Sequence, residues 1–205
     1  MSSIKVDLEK CNRDGICVNI CPSGVLQLAT DDPVPVAGSD FGNYCLSCGH
    51  CVSVCPTGAL SLDWLGPDAC RAIEKEKALS PVQAEQFLRS RRSIRRYKRR
   101  PVEREKLDKL LRIACYAPSA KNNQPWHWTI VEASETVRAL AGLVVDWMRQ
   151  VIEEQPKIAA QRSFTRVVAG WEAGEERVCR GAPHIIVAHA DKSFIMGAED
   201  CALAL

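Results

Sequence analysis

The stretch CLSCGHCVSVCP, residues 45–56, holds four cysteines and a proline in the pattern C-x2-C-x2-C-x3-C-P. Its two-residue gaps keep three thiols on one short loop, and the fourth thiol follows after about one helical turn. This run is typical of bacterial iron–sulfur ligands, in which the fourth cysteine binds the other cluster of a pair. The stretch therefore predicts an iron–sulfur domain with two metal centres.

A second copy of the pattern lies 34 residues upstream as CNRDGICVNICP, residues 11–22. At this offset Cys11, Gly15, Cys17 and Cys21 align with Cys45, Gly49, Cys51 and Cys55. Each copy predicts a ligand loop, a short helical turn, a Cys-Pro pair and then a strand of alternating apolar residues. Two such units predict a small pseudo-symmetric α+β domain.

The pattern predicts that the cluster ligands cross between the two copies. One set of ligands is Cys21, Cys45, Cys48 and Cys51; the other is Cys11, Cys17, Cys55 and Asp14. We expect two [4Fe-4S] clusters on these sets.

Asp14 takes the position that Cys48 occupies in the other copy. A carboxylate is a harder and weaker ligand than a thiolate for such an iron, so this cluster is expected as either [4Fe-4S] or [3Fe-4S]. The alternative is that Asp14 only shapes the loop before Gly15, as Asp-Gly pairs do in turns. Both interpretations stay open.

The cysteine content indicates metal binding. Seven of the eleven cysteines fall between Cys11 and Cys55, and an odd total fits full disulfide pairing poorly. Structural zinc is the alternative metal, but it does not explain the third cysteine of each run or the Cys-Pro endings. The N-terminus lacks an apolar segment, and no apolar run reaches the roughly 20 residues of a membrane helix. We therefore expect a cytoplasmic protein with no membrane partner.

The charge changes along the chain. Residues 1–70 carry 3 basic and 8 acidic side chains, whereas residues 71–205 carry 24 and 17. We interpret this change as a domain boundary: an iron–sulfur domain over 1–65, a linker over 66–81 and a second domain over 82–205. In the second domain, apolar periodicity predicts a helix after Glu103 and another over 135–153, and two apolar runs predict strands. The apolar face of the second helix is expected to hold Leu140, Leu143, Val144, Trp147 and Val151. Its fold class is therefore α/β or α+β.

Two polar stretches of the second domain predict a ligand. RSRRSIRRYKRRP, residues 89–101, surrounds Ser93 with guanidinium groups, which suit a phosphate. APSAKNNQPWHW, residues 117–128, offers amide side chains that both donate and accept hydrogen bonds. The alternatives are a nucleic-acid patch or solvated basic face for the first stretch, and an ordinary polar loop for the second.

Residues 3–63 resemble bacterial two-cluster ferredoxins in these motifs, and residues 87–205 resemble the nitroreductase family of FMN flavoproteins. The second resemblance rests on Arg-(x)-Ser-Ile-Arg followed by Pro-Ser-(x)-(x)-Asn-(x)-Gln-Pro-Trp. It implies a three-layer α/β/α flavin domain. It also implies that FMN is bound by Arg91, Arg92, Ser93, Arg95, Asn122 and Gln124.

The family resemblance also implies a homodimer through the flavin domain. Pro118, Ser119 and Ala120 would then reach the flavin that the other subunit mainly binds. The chain ends at GAEDCALAL, which looks like the start of the family's long central helix. We therefore expect the domain to be C-terminally incomplete, without further basic contacts to the flavin phosphate.

These features predict an oxidoreductase that depends on FMN and iron–sulfur clusters. Its donor is expected to be ferredoxin or NAD(P)H, and its acceptor a nitroaromatic, a quinone or an activated alkene. The alternative is an electron-transfer module that serves a redox partner protein and has no small substrate. Nucleic acid is not expected as a partner, because the net charge is only +2 and the flavin motif explains the same arginines. The sequence assigns no catalytic side chain.

Overall fold

The computed structural model describes residues 3–205, which fall into two compact units. The first unit extends to Glu85 and includes Lys121–Asn123, and the second comprises Gln86–Ala120 and Gln124–Leu205. The predicted linker, 66–81, groups with the first unit and holds two short 3-10 turns, Pro67–Ala69 and Lys75–Lys77. The domain limits drawn from the sequence stay predictions.

The first unit is a small mixed domain of short elements. In chain order these are β1 (Ile4–Val6), α1 (Ile16–Asn19), β2 (Leu26–Leu28), β3 (Pro35–Ala37), α2 (Phe41–Tyr44), α3 (His50–Ser53) and β4 (Leu60–Leu62). Strands β1 and β4 pair antiparallel, with Ile4 opposite Leu62, and β2 pairs antiparallel with β3. Both sequence copies therefore form a helical turn followed by a strand, as predicted.

The backbone repeats along with the sequence. Gly15 (φ 68°) precedes α1 and Gly49 (φ 73°) precedes α3, and both lie in the left-handed region that glycine adopts most easily. Arg13 (φ 61°) and Ser47 (φ 51°), two residues earlier in each copy, are left-handed as well. The two ligand loops, which are 34 residues apart, therefore share the same backbone conformation, although one carries Asp14 where the other has Cys48.

One apolar core lies beneath both ligand loops. It contains Cys17, Val25, Leu26, Phe41, Val52, Leu60 and Leu62. Leu60 is 1% exposed and Val52 is 2% exposed. Leu60 and Leu62 of β4 alternate into this core, as the strand prediction expects, whereas β2 contributes Leu26 but leaves Leu28 44% exposed.

The second unit combines a two-stranded sheet with helices. Its elements are α5 (Arg104–Ala114), β5 (His127–Val131), α6 (Ser134–Glu154), α7 (Pro156–Gln161), α8 (Phe164–Glu172), β6 (Ile185–His189) and α9 (Gly197–Ala204), and α4 (Pro81–Ser90) contains the division between the units. Strands β5 and β6 pair antiparallel, with His127 opposite His189. The mixed helix and strand class predicted for both halves is confirmed.

Helix α6 corrects one detail of the sequence analysis. The apolar face was expected to hold Leu140, Leu143, Val144, Trp147 and Val151. The structure instead buries Val137, Ala141, Val145 and Val151, while Leu143 is 66% exposed and Trp147 is 51% exposed. The apolar face of α6 is wider than the area that α7 and α8 cover. Apolar periodicity therefore predicted the position of the helix but not which part of its apolar face is buried.

The two loop glycines give a matched test of this fold. A Cβ at Gly49 would lie 2.5 Å from Cδ2 of Leu65, whereas a Cβ at Gly15 would meet Leu28 at an ordinary 3.5 Å. We expect Gly15→Ala to cost about 1–2 kcal/mol for the left-handed backbone. Gly49→Ala should cost more than Gly15→Ala, by the part of the overlap that rotation of the Leu65 side chain does not relieve. Hydrogen exchange of the β4 backbone amides measures both, and equal losses would contradict the predicted contact with Leu65.

Candidate functional site

The first unit brings four predicted ligands around one cavity. Cys21, Cys45, Cys48 and Cys51 line a space of about 340 Å³, together with Pro22, Gly49 and Phe41. Three of the thiols come from the second sequence copy and one comes from the first. The four side chains that the spacing assigns to one cluster therefore line one cavity, and their role as cluster ligands stays a prediction.

A second cavity of about 320 Å³ has the complementary set. Cys11, Asp14, Cys17 and Cys55 line it, together with Gly15, Pro35 and Leu60. Across residues 3–205, no three histidine, cysteine or acidic side chains stand close enough to share a single metal ion. A cubane cluster instead takes its ligands from the wall of a cavity, one thiolate to each ligated iron.

The local surroundings act differently on three of these thiols. Burial raises the pKa of the Cys51 thiol to about 11 and also raises the pKa of Cys17. Burial acts in the same direction at Cys55, but hydrogen bonds from the Thr57 hydroxyl and the Ala59 backbone N–H outweigh it and lower that pKa. Because thiolates are the metal ligands, binding at Cys17 and Cys51 would release protons.

Asp14 lies at a ligand position and also stabilises its own loop. Its Oδ1 accepts a hydrogen bond of 3.0 Å from the backbone N–H of Ile16, the first residue of α1. This contact supports the loop-forming interpretation, whereas its place in the wall of the cavity beside Cys11 and Cys17 supports the ligand interpretation. A carboxylate has two oxygens, so one can accept this bond while the other faces a metal.

A neighbouring ion pair fixes the same loop. The guanidinium of Arg13 binds both carboxylate oxygens of Asp32, with 2.9 Å between Nη2 and Oδ2. Its Nη1 also donates to the backbone carbonyl of Cys11 at 3.0 Å. The sequence analysis did not identify this pair, because Arg13 and Asp32 are 19 residues apart and belong to no motif.

The predicted phosphate segment of the second unit has no regular secondary structure over 91–98. Arg91, Arg92, Ser93 and Arg95 are all exposed. Nη1 of Arg92 donates to the backbone carbonyl of Arg91 at 2.9 Å, so this guanidinium contacts the backbone of its own segment. Ser93 and Arg95 line a cavity of about 720 Å³ together with Cys179, Arg180 and His184.

The predicted amide loop is held by contacts of its own. Pro118 is exposed, and Ser119 and Ala120 are half-buried. Oγ of Ser119 accepts a hydrogen bond of 2.9 Å from the backbone N–H of Gln124. Asn122 (φ 56°) and Gln124 (φ 45°) both have left-handed backbone. None of these residues is in the wall of the cavity beside Ser93 and Arg95, so the structure does not bring the two predicted flavin segments together there.

Asp200 contacts this loop from α9, and the sequence analysis did not identify it. It is 4% exposed, and its Oδ1 accepts a hydrogen bond of 2.9 Å from the backbone N–H of Ala120. Asp200 belongs to the first turn of α9, where a carboxylate is favourable to the helix dipole. The only signal in the sequence was an acid among apolar residues in GAEDCALAL.

Comparison with known proteins identifies the second unit. Residues 88–205, more than half of the chain, match the family model described as the nitroreductase family. The chain belongs to the nitroreductase family. Residues 9–60 match the model of a 4Fe-4S dicluster domain, so an iron–sulfur domain precedes the nitroreductase domain in the same chain.

Individual relatives match parts of the chain. An NADH dehydrogenase of Thermus thermophilus is 43% identical over 65 residues, which is 32% of each chain. A nitroreductase from Bacteroides fragilis, solved with bound FMN, shares 20% identity at a TM-score of 0.48 and covers 60% of this chain and 59% of its own. An FMN-dependent nitroreductase from Clostridium difficile shares 24% identity at a TM-score of 0.46, with coverages of 60% and 51%.

The curated relatives are matched only in part. The matched regions cover between 30% and 46% of their length. Family membership therefore rests on the match over residues 88–205. In the part of the chain that the structure describes, no helix is long and apolar enough to cross a membrane.

The contact between Asp200 and Ala120 predicts a stability difference. Asp200→Leu removes the acceptor and leaves the Ala120 N–H unpaired, so we expect a loss of about 1–3 kcal/mol in the free energy of unfolding. Asp200→Asn keeps an amide oxygen at the same place and should lose less. Urea unfolding followed by tryptophan fluorescence measures both. Glu199→Leu, at an exposed acid of the same helical turn, is the control, and an equal loss there would contradict the assignment.

Proposed function

We propose that the chain is an oxidoreductase that depends on FMN and iron–sulfur clusters. Its donor would be reduced ferredoxin or NAD(P)H, and its acceptor a nitroaromatic, a quinone or an activated alkene. The observation that carries the proposal is that one chain of the nitroreductase family also has two ligand-lined cavities in a 4Fe-4S dicluster domain. An enzyme whose only cofactor is a flavin would not need the cysteine side chains that line these two cavities.

The donor sets fit two iron–sulfur clusters. We assign Cys21, Cys45, Cys48 and Cys51 to one cluster, because these thiols share a cavity. Cys11, Cys17, Cys55 and Asp14 are assigned to the other for the same reason. The exchange of one ligand between the copies would join the two halves of the domain through the metal centres.

The chemistry of the second unit fits FMN. Arg91, Arg92, Ser93 and Arg95 offer exposed guanidinium groups and a hydroxyl, which suit a phosphate and a ribityl chain. The loop with Pro118, Ser119, Ala120, Asn122 and Gln124 offers backbone groups and amides for the ring. When bound, FMN exchanges electrons singly or in pairs, whereas an iron–sulfur cluster carries one at a time. Membership of the nitroreductase family, which the sequence motifs associate with FMN, supports this cofactor for the chain.

A homodimer through the flavin domain is part of the proposal. The exposed part of the apolar face of α6 supports the dimer, because Leu143 is 66% exposed and Trp147 is 51% exposed in the single chain. Exposed apolar stripes of this kind are favourable once a second surface covers them. Pro118 of one subunit would then approach the flavin that the partner subunit mainly holds.

Cofactor content and turnover test the proposal. We expect the anaerobically purified chain to contain seven or eight irons, acid-labile sulfide and one FMN, and to reduce a nitroaromatic with NAD(P)H or reduced ferredoxin. Iron without flavin, or activity only after another protein is added, would indicate an electron-transfer module instead. Zinc in place of iron would contradict the cluster assignment.

Substitutions of Asp14 separate its two interpretations. If Asp14 is a ligand, Asp14→Cys should raise the iron content to eight and give the EPR signal of a [4Fe-4S] cluster, because thiolate binds this iron more tightly. Asp14→Asn should then favour the three-iron form. If Asp14 only forms the loop, Asp14→Asn should match the wild type, because its amide oxygen can accept the Ile16 hydrogen bond. Iron analysis and EPR of the two variants distinguish these outcomes.

A further inference from the structure

His184 connects three parts of the second unit that are distant in the sequence. The backbone N–H of Val102 donates to its Nε2 at 2.8 Å. Its Nδ1 lies 2.9 Å from the backbone carbonyl oxygen of Glu132. Val102 directly follows the arginine-rich stretch 89–101, Glu132 follows β5, and His184 immediately precedes β6. A single imidazole therefore ties this segment to the same end of both strands.

The two contacts determine the tautomer of the imidazole. An amide N–H can only donate, so Nε2 of His184 must be an acceptor without a proton. A carbonyl oxygen can only accept, so Nδ1 must carry the proton and donate it to Glu132. The network therefore assigns the neutral Nδ1–H tautomer, and neither the other neutral tautomer nor the imidazolium makes both bonds.

Within the described residues, the bond between Val102 and His184 is the hydrogen bond that connects residues 91–102 to the sheet. Within residues 3–205, the remaining hydrogen bonds of residues 91–102 are made by the side chains of Arg92, Arg95 and Tyr97, and all end on carbonyls of residues 89–94. These bonds fold the segment on itself and do not position it. Pro101 has no N–H, so the amide of Val102 is the first donor after it.

Glu132, the residue at the end of β5 that His184 contacts, is also held by an ion pair. Nη1 of Arg104 lies 2.7 Å from Oε1 of Glu132, and Nε of Arg104 lies 2.8 Å from Oδ1 of Asp108. Glu132 thus receives a hydrogen bond from His184 on its backbone and an ion pair on its side chain. The ion pair is exposed and contributes little stability, but it keeps the start of α5 next to the end of β5.

The imidazole also borders the predicted flavin-phosphate cavity. His184 is in the wall of the cavity that Ser93 and Arg95 line. It is also in the wall of a second cavity of about 920 Å³, formed with Tyr97, Val102 and Leu107. The residue therefore borders both cavities.

We propose that His184 is the positioning residue for the flavin-phosphate segment, residues 91–102. It holds the end of the segment against the sheet, so that Ser93 and Arg95 remain in the cavity wall before a ligand arrives. The proposal rests on the proposed flavin function, because it assigns a role within that site. Holding a binding segment in place lowers the entropy lost on binding, which raises affinity.

Substitutions of His184 test the proposal in the full chain. His184→Phe keeps a planar ring but removes both bonds, so we expect the dissociation constant for FMN to rise about tenfold, as the loss of one to two hydrogen bonds predicts. His184→Gln has an amide oxygen for Val102 and an amide N–H for Glu132, so it should restore most of the affinity. His189→Phe, at the exposed histidine that ends β6, is the matched control, because it removes a histidine contact with Thr129 away from residues 91–102. Titration with FMN, followed by flavin fluorescence, measures all four proteins.

Two measurements without FMN separate this inference from the proposed function. Trypsin should cleave within residues 91–100 faster in His184→Phe than in the wild type or in His184→Gln. Correlation of the imidazole nitrogens and protons by NMR should show the Nδ1–H tautomer of His184 in the wild type, whether or not the Phe variant folds. If the wild type binds no FMN, the flavin function fails, while these two measurements still test the contact.

Specific results would overturn the proposed role of His184. An Nε2–H tautomer would exclude the contact with Val102. Equal trypsin cleavage in all four folded proteins would show that the contact does not hold the segment. Equal FMN affinity in His184→Phe and the wild type would show that the contact does not contribute to the site.

Discussion

The first unit depends on the left-handed backbone that both ligand loops adopt before their helices. Arg13 and Gly15 in one copy, and Ser47 and Gly49 in the other, have positive φ angles between 51° and 73°. This conformation folds each loop back so that its first three ligand positions face one cavity. The short helix that follows places the fourth thiol in the other cavity. The same local conformation, used twice, therefore underlies both predicted donor sets.

The ligands of this unit face two competing demands. They must be close to an apolar core, which excludes water, yet a metal requires them as thiolates. Cys51 and Cys17 show the first demand, because burial raises the pKa of both. Cys55 shows the second, because hydrogen bonds lower its pKa despite its burial. Bound iron would compensate the cost of ionising the buried thiols, so folding and cluster binding are expected to be linked.

The parts of the molecule that the sequence predicts well are those fixed by local spacing. The cysteine spacing and its repeat after 34 residues predicted which side chains share a cavity. Apolar periodicity predicted α5 and α6, and two apolar runs predicted the strands of the second unit. Periodicity did not predict which side of α6 is buried, because that depends on the elements that pack against it. Asp200 and His184 were missed for a related reason: their partners, Ala120 and Val102, are 80 and 82 residues away, and no motif links them.

The two units therefore position their functional groups in different ways. In the iron–sulfur unit the backbone that carries the ligands is itself constrained, and the ligands follow from it. The arginine-rich segment of the nitroreductase unit lacks regular structure, and the amide loop holds only a short turn. Both therefore depend on distant side chains, among them His184 and Asp200. A segment that is fixed at one point can adjust around a bound phosphate without disturbing the sheet that holds it. Its position is consequently sensitive to residues that no cofactor-binding motif contains, and the function of this unit should depend on them as much as on the arginines.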